Sequence, residues 1–271
     1  MIALGQAGAL VAYVGSVLLL IRSLARGGRD VPWTSTAALA AGVVLHAAAL
    51  VLYAVRHAAL PLTGIGPSLS TLGLLVALFV LGAASLGEAR PLGIAVVPVA
   101  AVLSGAALAL GLTPSDAGDF FSSRSWFYLH VLLAFGGYAG LALASGAGLL
   151  YLIQLRELKD KHFGSLFRFL PSLDTLEDVG RRALSVGLIS LGLGLAVAWA
   201  WTVHFTGSMD LDDPKIAWAI GTWVIMAAAL GLRGGGPRRQ RWGAAVSVVG
   251  FVIVVVAYLV IRAGTAGGGF L

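Results

Sequence analysis

Eight long apolar stretches dominate this chain and leave few folds open to it. Each is close to the ~20 residues that a helix needs to cross the hydrocarbon core of a bilayer. Backbone polar groups cannot stay unpaired in lipid, and no stretch alternates apolar with polar residues, so we expect helices and not strands. We predict an all-α polytopic membrane protein, a single domain over residues 1–271 with eight transmembrane helices. The stretches cover roughly residues 3–24, 35–55, 66–87, 91–112, 126–153, 183–204, 215–232 and 242–262.

The composition excludes several other classes of protein. Hydrophobic residues make up 59% of the chain and charged residues only 11%, a balance that does not suit a water-exposed surface. The chain has no cysteine, which excludes disulfides, thiolate metal sites and covalent thioether attachment of a cofactor. The net charge of +6 would suggest nucleic acid for a soluble protein. In a membrane protein it reflects topology instead, so we expect no nucleic-acid partner.

Lysine and arginine are divided unevenly between the two ends of the predicted bundle. One set of connections holds 14 of the 18, and the other holds only Arg56, Arg124, Lys215 and Arg262. Because cytoplasmic connections are enriched in Lys and Arg, we place the basic end in the cytoplasm and both termini outside. The longest basic connection, residues 154–182, is expected to lie on the membrane surface. It should lead into a helix capped by Thr175, with Asp178 at capping-box spacing.

Histidines are the natural candidates for chemistry in a chain with so few polar residues. His46 lies near the middle of the second stretch, where it is either a ligand or a neutral imidazole bonded to a neighbouring helix. His130 opens the fifth stretch at the outer end, beside Trp126 and Tyr128, and taken alone it is best explained as part of an interfacial aromatic belt. His204 ends the sixth stretch at the same outer end, three residues after Trp201 and therefore on one helix face with it.

Two chemistries suit these residues, and several others lack the residues they need. Imidazoles from two helices can hold a haem iron axially, while tryptophans cover the porphyrin and basic residues meet its propionates. A zinc site from two histidines and an aspartate is chemically possible, but no HxxxH or HxxE spacing supports it. The sequence has no phosphate loop, no GxSxG motif and no acidic residue near the middle of any predicted span. We therefore predict that the protein is not an enzyme.

Two blocks in the C-terminal two thirds carry a family resemblance. The first is SRSWFYLHVLLAFGGYAGLALASGAGLLYL, and the second runs from SVGLISLGLGLAVAW through DDPKIAWAIGTW to LGLR and WGAAVSVVGFVIVVVAYL. Both resemble the cytochrome c assembly family of membrane haem-handling proteins, which includes the CcsA and CcmC branches. Within that family the chain looks most similar to the small HemX-like and YpjD-like inner-membrane members.

The resemblance implies a haem (heme) cofactor and a set of residues that hold it. His130 takes the place of the family's external axial ligand, and His204 or His46 would be the second metal ligand. The departures concern the family's tryptophan signature and its LHxR histidine, which fall here on Thr206, Asp210, Asp212 and Gly231. Asp213, Lys215 and Trp218 of the signature are kept, and the resemblance implies a role for them in haem binding. Trp201, which shares a helix face with His204, is the remaining residue that we expect at the cofactor.

The function that these observations indicate is non-enzymatic haem handling of the cytochrome c assembly type. It would take place at the outer face of the bacterial inner (cytoplasmic) membrane, with haem, membrane lipids and membrane-protein partners of an assembly or regulatory complex. An alternative is a family member that has lost haem handling. Such a protein would act as a regulatory or scaffolding membrane protein through its cytoplasmic loop, residues 154–182.

Overall fold

The computed structural model describes residues 1–27, 31–85, 89–113, 125–161, 164–206 and 214–264. Nearly all of these residues are helical. Within those ranges there is no strand, and eight helices are long and apolar enough to cross a membrane. The predicted all-α polytopic fold is confirmed. The helices are α1 Ile2–Ala25, α2 Trp33–His57, α3 Ile65–Ser85, α4 Gly93–Leu110, α5 Ser125–Lys159, the short α6 Ser165–Phe169, α7 Leu173–Thr206, α8 Pro214–Arg233 and α9 Pro237–Gly264.

The helices of the bundle expose large apolar side chains on their outer surface, where a soluble protein would have polar ones. Leu4 and Val11 on α1 are 76% and 71% exposed, and Val249 and Val256 on α9 are 57% and 52% exposed. A helix that directs large aliphatic side chains outward is stable against lipid and not against water. The protein is therefore a multi-pass membrane protein.

The helices form two groups that share α5. The first group consists of α1 to α4, with α1 packed on α2 and α4, and α3 packed on α4. The second consists of α5, α7, α8 and α9, in which α5 packs along α7 more extensively than any other described pair of helices. Because α5 also contacts α3 and α4, it joins the two groups. His130 lies in the first turns of this central helix.

Small residues allow α5 and α7 to approach closely. A Cβ atom on Gly140 would lie 2.7 Å from the carbonyl oxygen of Ala183 and 2.8 Å from the Cα atom of Gly187. Those distances are too short for any residue larger than glycine. This is the usual role of glycine in a membrane bundle, where helices associate through close backbone packing.

The basic segment 154–182 is more helical than the sequence suggested. The helix α5 continues to Lys159, and α7 already begins at Leu173. The predicted Thr175–Asp178 capping box is wrong. Ser172 is the residue that caps α7, since its Oγ accepts a hydrogen bond from the Thr175 backbone N–H at 3.1 Å. Asp178 instead forms ion pairs with the arginines that follow it at positions 181 and 182.

Candidate cofactor site

His130 lies on the seam between α5 and α7, and its ring orientation follows from one hydrogen bond. Its Nδ1 atom is 2.9 Å from the backbone oxygen of Gly194 on α7. A carbonyl oxygen can only accept, so Nδ1 carries the hydrogen and donates it. In the neutral ring, Nε2 then carries the lone pair. The lone pair of this half-buried imidazole is therefore on Nε2, and Nε2 is the nitrogen that could bind a metal.

The backbone around His130 is held firmly. Ser190 Oγ on α7 donates a hydrogen bond to the Leu133 carbonyl oxygen on α5 at 2.8 Å, one turn from His130. A Cβ atom on Gly194 would lie 3.3 Å from the backbone nitrogen of Ala134, so the two helices are close at this level as well. The contact that orients the imidazole thus belongs to a tight helix–helix interface and not to a mobile loop.

His204 is also on α7, but it lies well beyond Gly194, the residue of α7 that His130 contacts. It follows Gly194 by ten residues, which corresponds to about 15 Å of helical rise, and its side chain is exposed. Trp201, one turn earlier, is partly exposed. The structure therefore places both candidate ligands on the α5–α7 pair, with His130 next to Gly194 and His204 in the last turn of α7.

His46 belongs to a different part of the molecule. It is fully buried among α1 to α4, and both of its ring nitrogens are hydrogen-bonded. Nδ1 is 3.0 Å from the Tyr13 hydroxyl and Nε2 is 2.9 Å from Ser70 Oγ. Ser70 donates its own hydrogen to Gln6 Oε1 at 3.1 Å, and Gln6 Nε2 donates to Ser104 Oγ at 2.8 Å.

The direction of these bonds fixes the tautomer of His46. Because the Ser70 hydrogen is given to Gln6, Ser70 Oγ accepts from His46 Nε2–H. The opposite nitrogen, Nδ1, then accepts from the Tyr13 hydroxyl. The resulting chain of hydrogen bonds connects α1, α2, α3 and α4. Ligation of a metal by His46 would require one of these two bonds to be broken.

Trp218 packs inside the bundle in this structure. Its ring stacks on Tyr138 of α5 with the ring centroids 4.9 Å apart and the planes at 30°. Its Nε1 donates a hydrogen bond to the Val254 carbonyl oxygen of α9 at 3.1 Å. Tyr138 is eight residues beyond His130, about 12 Å of helical rise. Trp218 therefore lies deeper in the bundle than His130.

Two further residues that the sequence assigned to the site, Lys215 and Asp213, come in the first turn of α8 and directly before that helix in the sequence. Lys215 is in the first turn of α8 and is exposed. It shares a helix face with Trp218, three residues later. Asp213, like Asp210 and Asp212, belongs to residues 207–213 and lies outside the described residues. Gly231 is exposed on α8, and a Cβ atom there would meet open space.

A buried ion pair near the basic end of the bundle was not expected from the sequence. Arg233 is only 2% exposed, and its Nη1 lies 2.6 Å from Glu177 Oε2. Nη2 reaches Ser247 Oγ of α9 at 3.3 Å and the Ala144 carbonyl oxygen of α5 at 3.5 Å. A single guanidinium group thus connects α5, α7, α8 and α9. Arg233, one of the 14 basic residues that the sequence places in the connections at this end, is therefore a buried residue at the end of α8.

Space for the guanidinium group comes from a glycine on α7. A Cβ atom on Gly180 would lie 2.5 Å from Arg233 Nη1, which is a steric clash. The sequence signal for this cluster was available but weak. Glu177 and Gly180 are one turn apart on α7, and Arg233 ends an apolar helix just before a run of glycines.

The described side chains give no support to a zinc centre. Among them, no group of three histidine, cysteine, aspartate or glutamate residues is arranged to hold a metal ion. Axial ligation of a haem iron does not need such a group, because one or two imidazoles are enough.

Comparison with known proteins finds relatives that are each similar to about half of this chain. CcsA, the cytochrome c biogenesis protein, of Guillardia theta is 29% identical over 150 residues, which is half of this chain and half of that protein. CcsA of Synechococcus sp. (strain CC9605) is 30% identical over 156 residues, 50% of this chain and 51% of that protein. An uncharacterized 28.8 kDa protein of Azospirillum brasilense is 29% identical over 133 residues, 49% of each chain.

The similarity to these relatives is partial, whereas the match to a family model extends along the whole sequence. The chain spans about half the length of the curated relatives it matches. The model of the family described as cytochrome C assembly protein matches residues 1–267. The chain therefore belongs to the cytochrome c assembly protein family.

Proposed function

We propose that this chain is a non-enzymatic, haem-binding membrane protein of the cytochrome c assembly type, with haem held near the outer end of its bundle. His130 is the proposed axial ligand, through Nε2. The observation that carries the proposal is the hydrogen bond from Nδ1 to the Gly194 oxygen at 2.9 Å. Histidines that bind metals nearly always donate their other ring N–H to a carbonyl, carboxylate or water, which fixes the tautomer and the ring orientation.

His204 is the proposed second ligand. It is exposed and lies on the helix that already orients His130. Ligation by both rings needs their nitrogens roughly 4 Å apart, given metal–imidazole bonds of about 2 Å. Because His204 is ten residues, or about 15 Å of helical rise, beyond Gly194, ligation by both rings would also require the last turns of α7 to rearrange. His46 is the less favourable choice, because Tyr13 and Ser70 already occupy its nitrogens.

The connection between α7 and α8 supplies the proposed lip of the site. Trp201 would cover part of the porphyrin, and Lys215 would meet a propionate through a charge-assisted hydrogen bond. Asp213 would belong to the same lip. Trp218, stacked on Tyr138, would form the floor beneath it. Bound haem supplies an iron with axial positions, and the role of the protein is to hold and orient it.

The proposed setting is the bacterial inner (cytoplasmic) membrane, with the basic end in the cytoplasm. Further membrane proteins of a cytochrome assembly or regulatory complex are the proposed partners. The alternative role, scaffolding through residues 154–182, is less well supported. Phe169 and Leu170 of that segment are only 2% and 7% exposed, and α6 packs on α1 and α5. These apolar side chains are used inside the protein.

A haem titration of the purified protein tests the proposal. The Soret band of the wild type in detergent is compared with that of His130→Ala and of His57→Ala. His57 is the matched control, because it is a helix-end histidine that packs on Tyr53 with ring centroids 4.7 Å apart. We expect His130→Ala to weaken haem binding about tenfold or more, which corresponds to about 1.4 kcal/mol. His57→Ala should bind like the wild type.

A rescue experiment separates ligation from folding. In His130→Gly, free imidazole can enter the space of the side chain and bind the iron, so it should restore the Soret band. His204→Ala should change the spectrum and not only the affinity if His204 is the sixth ligand. If the wild type gave no Soret band, or if His130→Ala and His57→Ala behaved alike, haem ligation by His130 would be rejected.

A further inference from the structure

A groove at the basic end of the bundle lies between the last turns of α5 and the first turns of α9. Its volume is about 390 Å³, within the range of small-ligand sites. Leu152, Leu155 and Ala245 form its apolar part. The remaining lining residues are charged or aromatic, namely Arg156, Lys159, Asp160, Arg241 and Trp242.

The groove carries excess positive charge. Of the described residues that line it, Arg156, Lys159 and Arg241 are cationic, and Asp160 carries the one carboxylate. Arg156 Nε and Asp160 Oδ2 are 3.7 Å apart, and their side chains are 85% and 62% exposed. A solvent-exposed pair of that kind contributes little, so Arg156 remains available to another anion.

An apolar surface continues from the groove along α9. Trp242 is 58% exposed, and Val249, Ile253, Val256 and Val260 are each more than half exposed. Their spacings of 7, 11, 14 and 18 residues from Trp242 keep all five on one helix face. A tryptophan at the start of such a face is typical of the membrane–water interface. The groove thus has its cations at the level of lipid headgroups and an aliphatic surface below.

We propose that this groove binds an anionic phospholipid. The phosphate group would lie among Arg156, Lys159 and Arg241, and an acyl chain would follow the exposed face of α9 beyond Trp242. Basic pockets between transmembrane helices are suited to anionic headgroups, and a bare anion would have no use for the aliphatic face. The lipid site is independent of haem binding, because His130 is at the opposite end of α5.

The test compares lipid binding by two double variants of equal charge. Purified protein is mixed with phosphatidylglycerol or phosphatidylcholine in a neutral detergent, and bound lipid is counted by native mass spectrometry. Arg156→Gln/Arg241→Gln removes two cations from the groove. Arg238→Gln/Arg239→Gln is the matched control, because it removes two exposed cations from the same end outside the groove.

We expect the wild type and the control to prefer phosphatidylglycerol, and the groove variant to bind it on the order of tenfold more weakly. Equal loss in both double variants would reduce the preference to general charge attraction and overturn the proposal. So would equal binding of the two lipids by the wild type, or displacement of phosphatidylglycerol by inorganic phosphate. If the groove variant does not fold, Lys159→Gln with the same readout decides, since it leaves both arginines in place.

Discussion

The buried ion pair allows the sharpest prediction about stability. Glu177→Gln keeps the shape of the side chain and removes only its charge. Arg233 then remains as a buried cation whose side chain is 0% exposed. Its two other contacts, with Ser247 Oγ at 3.3 Å and the Ala144 oxygen at 3.5 Å, are neutral and long. They cannot replace a carboxylate at 2.6 Å.

The magnitude follows from the distance and the burial of the pair. Two unit charges about 4 Å apart interact with about 4 kcal/mol at an effective dielectric constant of about 20. Experiments in which one partner of a buried pair is removed give about 3–5 kcal/mol. We therefore expect Glu177→Gln to lower the free energy of unfolding by about 3–4 kcal/mol, roughly a hundredfold or more in the folding equilibrium constant.

The neighbouring residue provides a matched control. Asp178 carries the same charge and pairs with Arg181 and Arg182 at 2.8 and 2.6 Å, but those arginine side chains are 54% and 62% exposed. Exposed ion pairs contribute about 0–1 kcal/mol. Asp178→Asn should therefore change the free energy of unfolding by less than about 1 kcal/mol. The two variants remove one negative charge each from adjacent positions and differ mainly in burial.

The double variant Glu177→Leu/Arg233→Met distinguishes the pair from its surroundings. Within the described part of the chain, Glu177 Oε1 and Arg233 Nε are buried without a hydrogen-bond partner. The hydrogen bonds of the pair therefore do not fully replace those that the two charged groups would make with water. Replacing both partners by apolar residues is often neutral or stabilising. We expect the free energy of unfolding of the double variant to be within about 1 kcal/mol of the wild-type value, or higher. Glu177→Leu alone should be strongly destabilising, because it leaves Arg233 as an unpaired buried charge.

Equilibrium unfolding in mixed micelles, followed by the fluorescence of the seven tryptophans, gives these free energies. A double-mutant cycle then yields the coupling energy of the pair. Two results would contradict the reasoning. One is a Glu177→Gln variant as stable as Asp178→Asn. The other is strict additivity, in which the double variant loses the sum of the two single losses.

Two further predictions concern the packing of the bundle. Gly140→Val should destabilise the protein by about 1–3 kcal/mol or more, because the added side chain overpacks against Ala183. Gly221→Val should be nearly neutral in thermal unfolding, because a Cβ atom at Gly221 meets nothing within 4 Å. Tyr13→Phe removes the donor to His46 Nδ1 and should cost about 0.6–2 kcal/mol. A Tyr13→Phe variant with the same free energy of unfolding as the wild type would show that this hydrogen bond does not stabilise the protein.

The number and type of the transmembrane helices could be predicted, because length and composition alone determine them in lipid. Their ends could not. The fifth apolar stretch stops near residue 153, yet α5 continues to Lys159, since Arg156, Glu157 and Lys159 favour helix and suit the aqueous interface. Hydropathy detects where a helix leaves the membrane and gives no signal for where the helix itself ends.

The roles of the polar residues could be predicted less well, because their partners are distant in sequence. Arg233 directly precedes a run of glycines, a context typical of a loop, but its partner Glu177 is 56 residues away. For His46 the sequence left ligand and packing roles open. Tyr13 and Ser70, from two other helices, supply the contacts that favour packing. Neither pairing follows from local spacing.

The three polar clusters inside the bundle differ in what they leave open, and that difference favours His130 as a ligand. The His46 cluster uses both ring nitrogens in a hydrogen-bonded chain through four helices. The Arg233 cluster pairs its charge with Glu177. At His130, the Gly194 carbonyl oxygen engages one nitrogen and thereby leaves the lone pair on the other. A histidine that served only packing would have no need of a lone pair held in one fixed direction, whereas a ligand requires it.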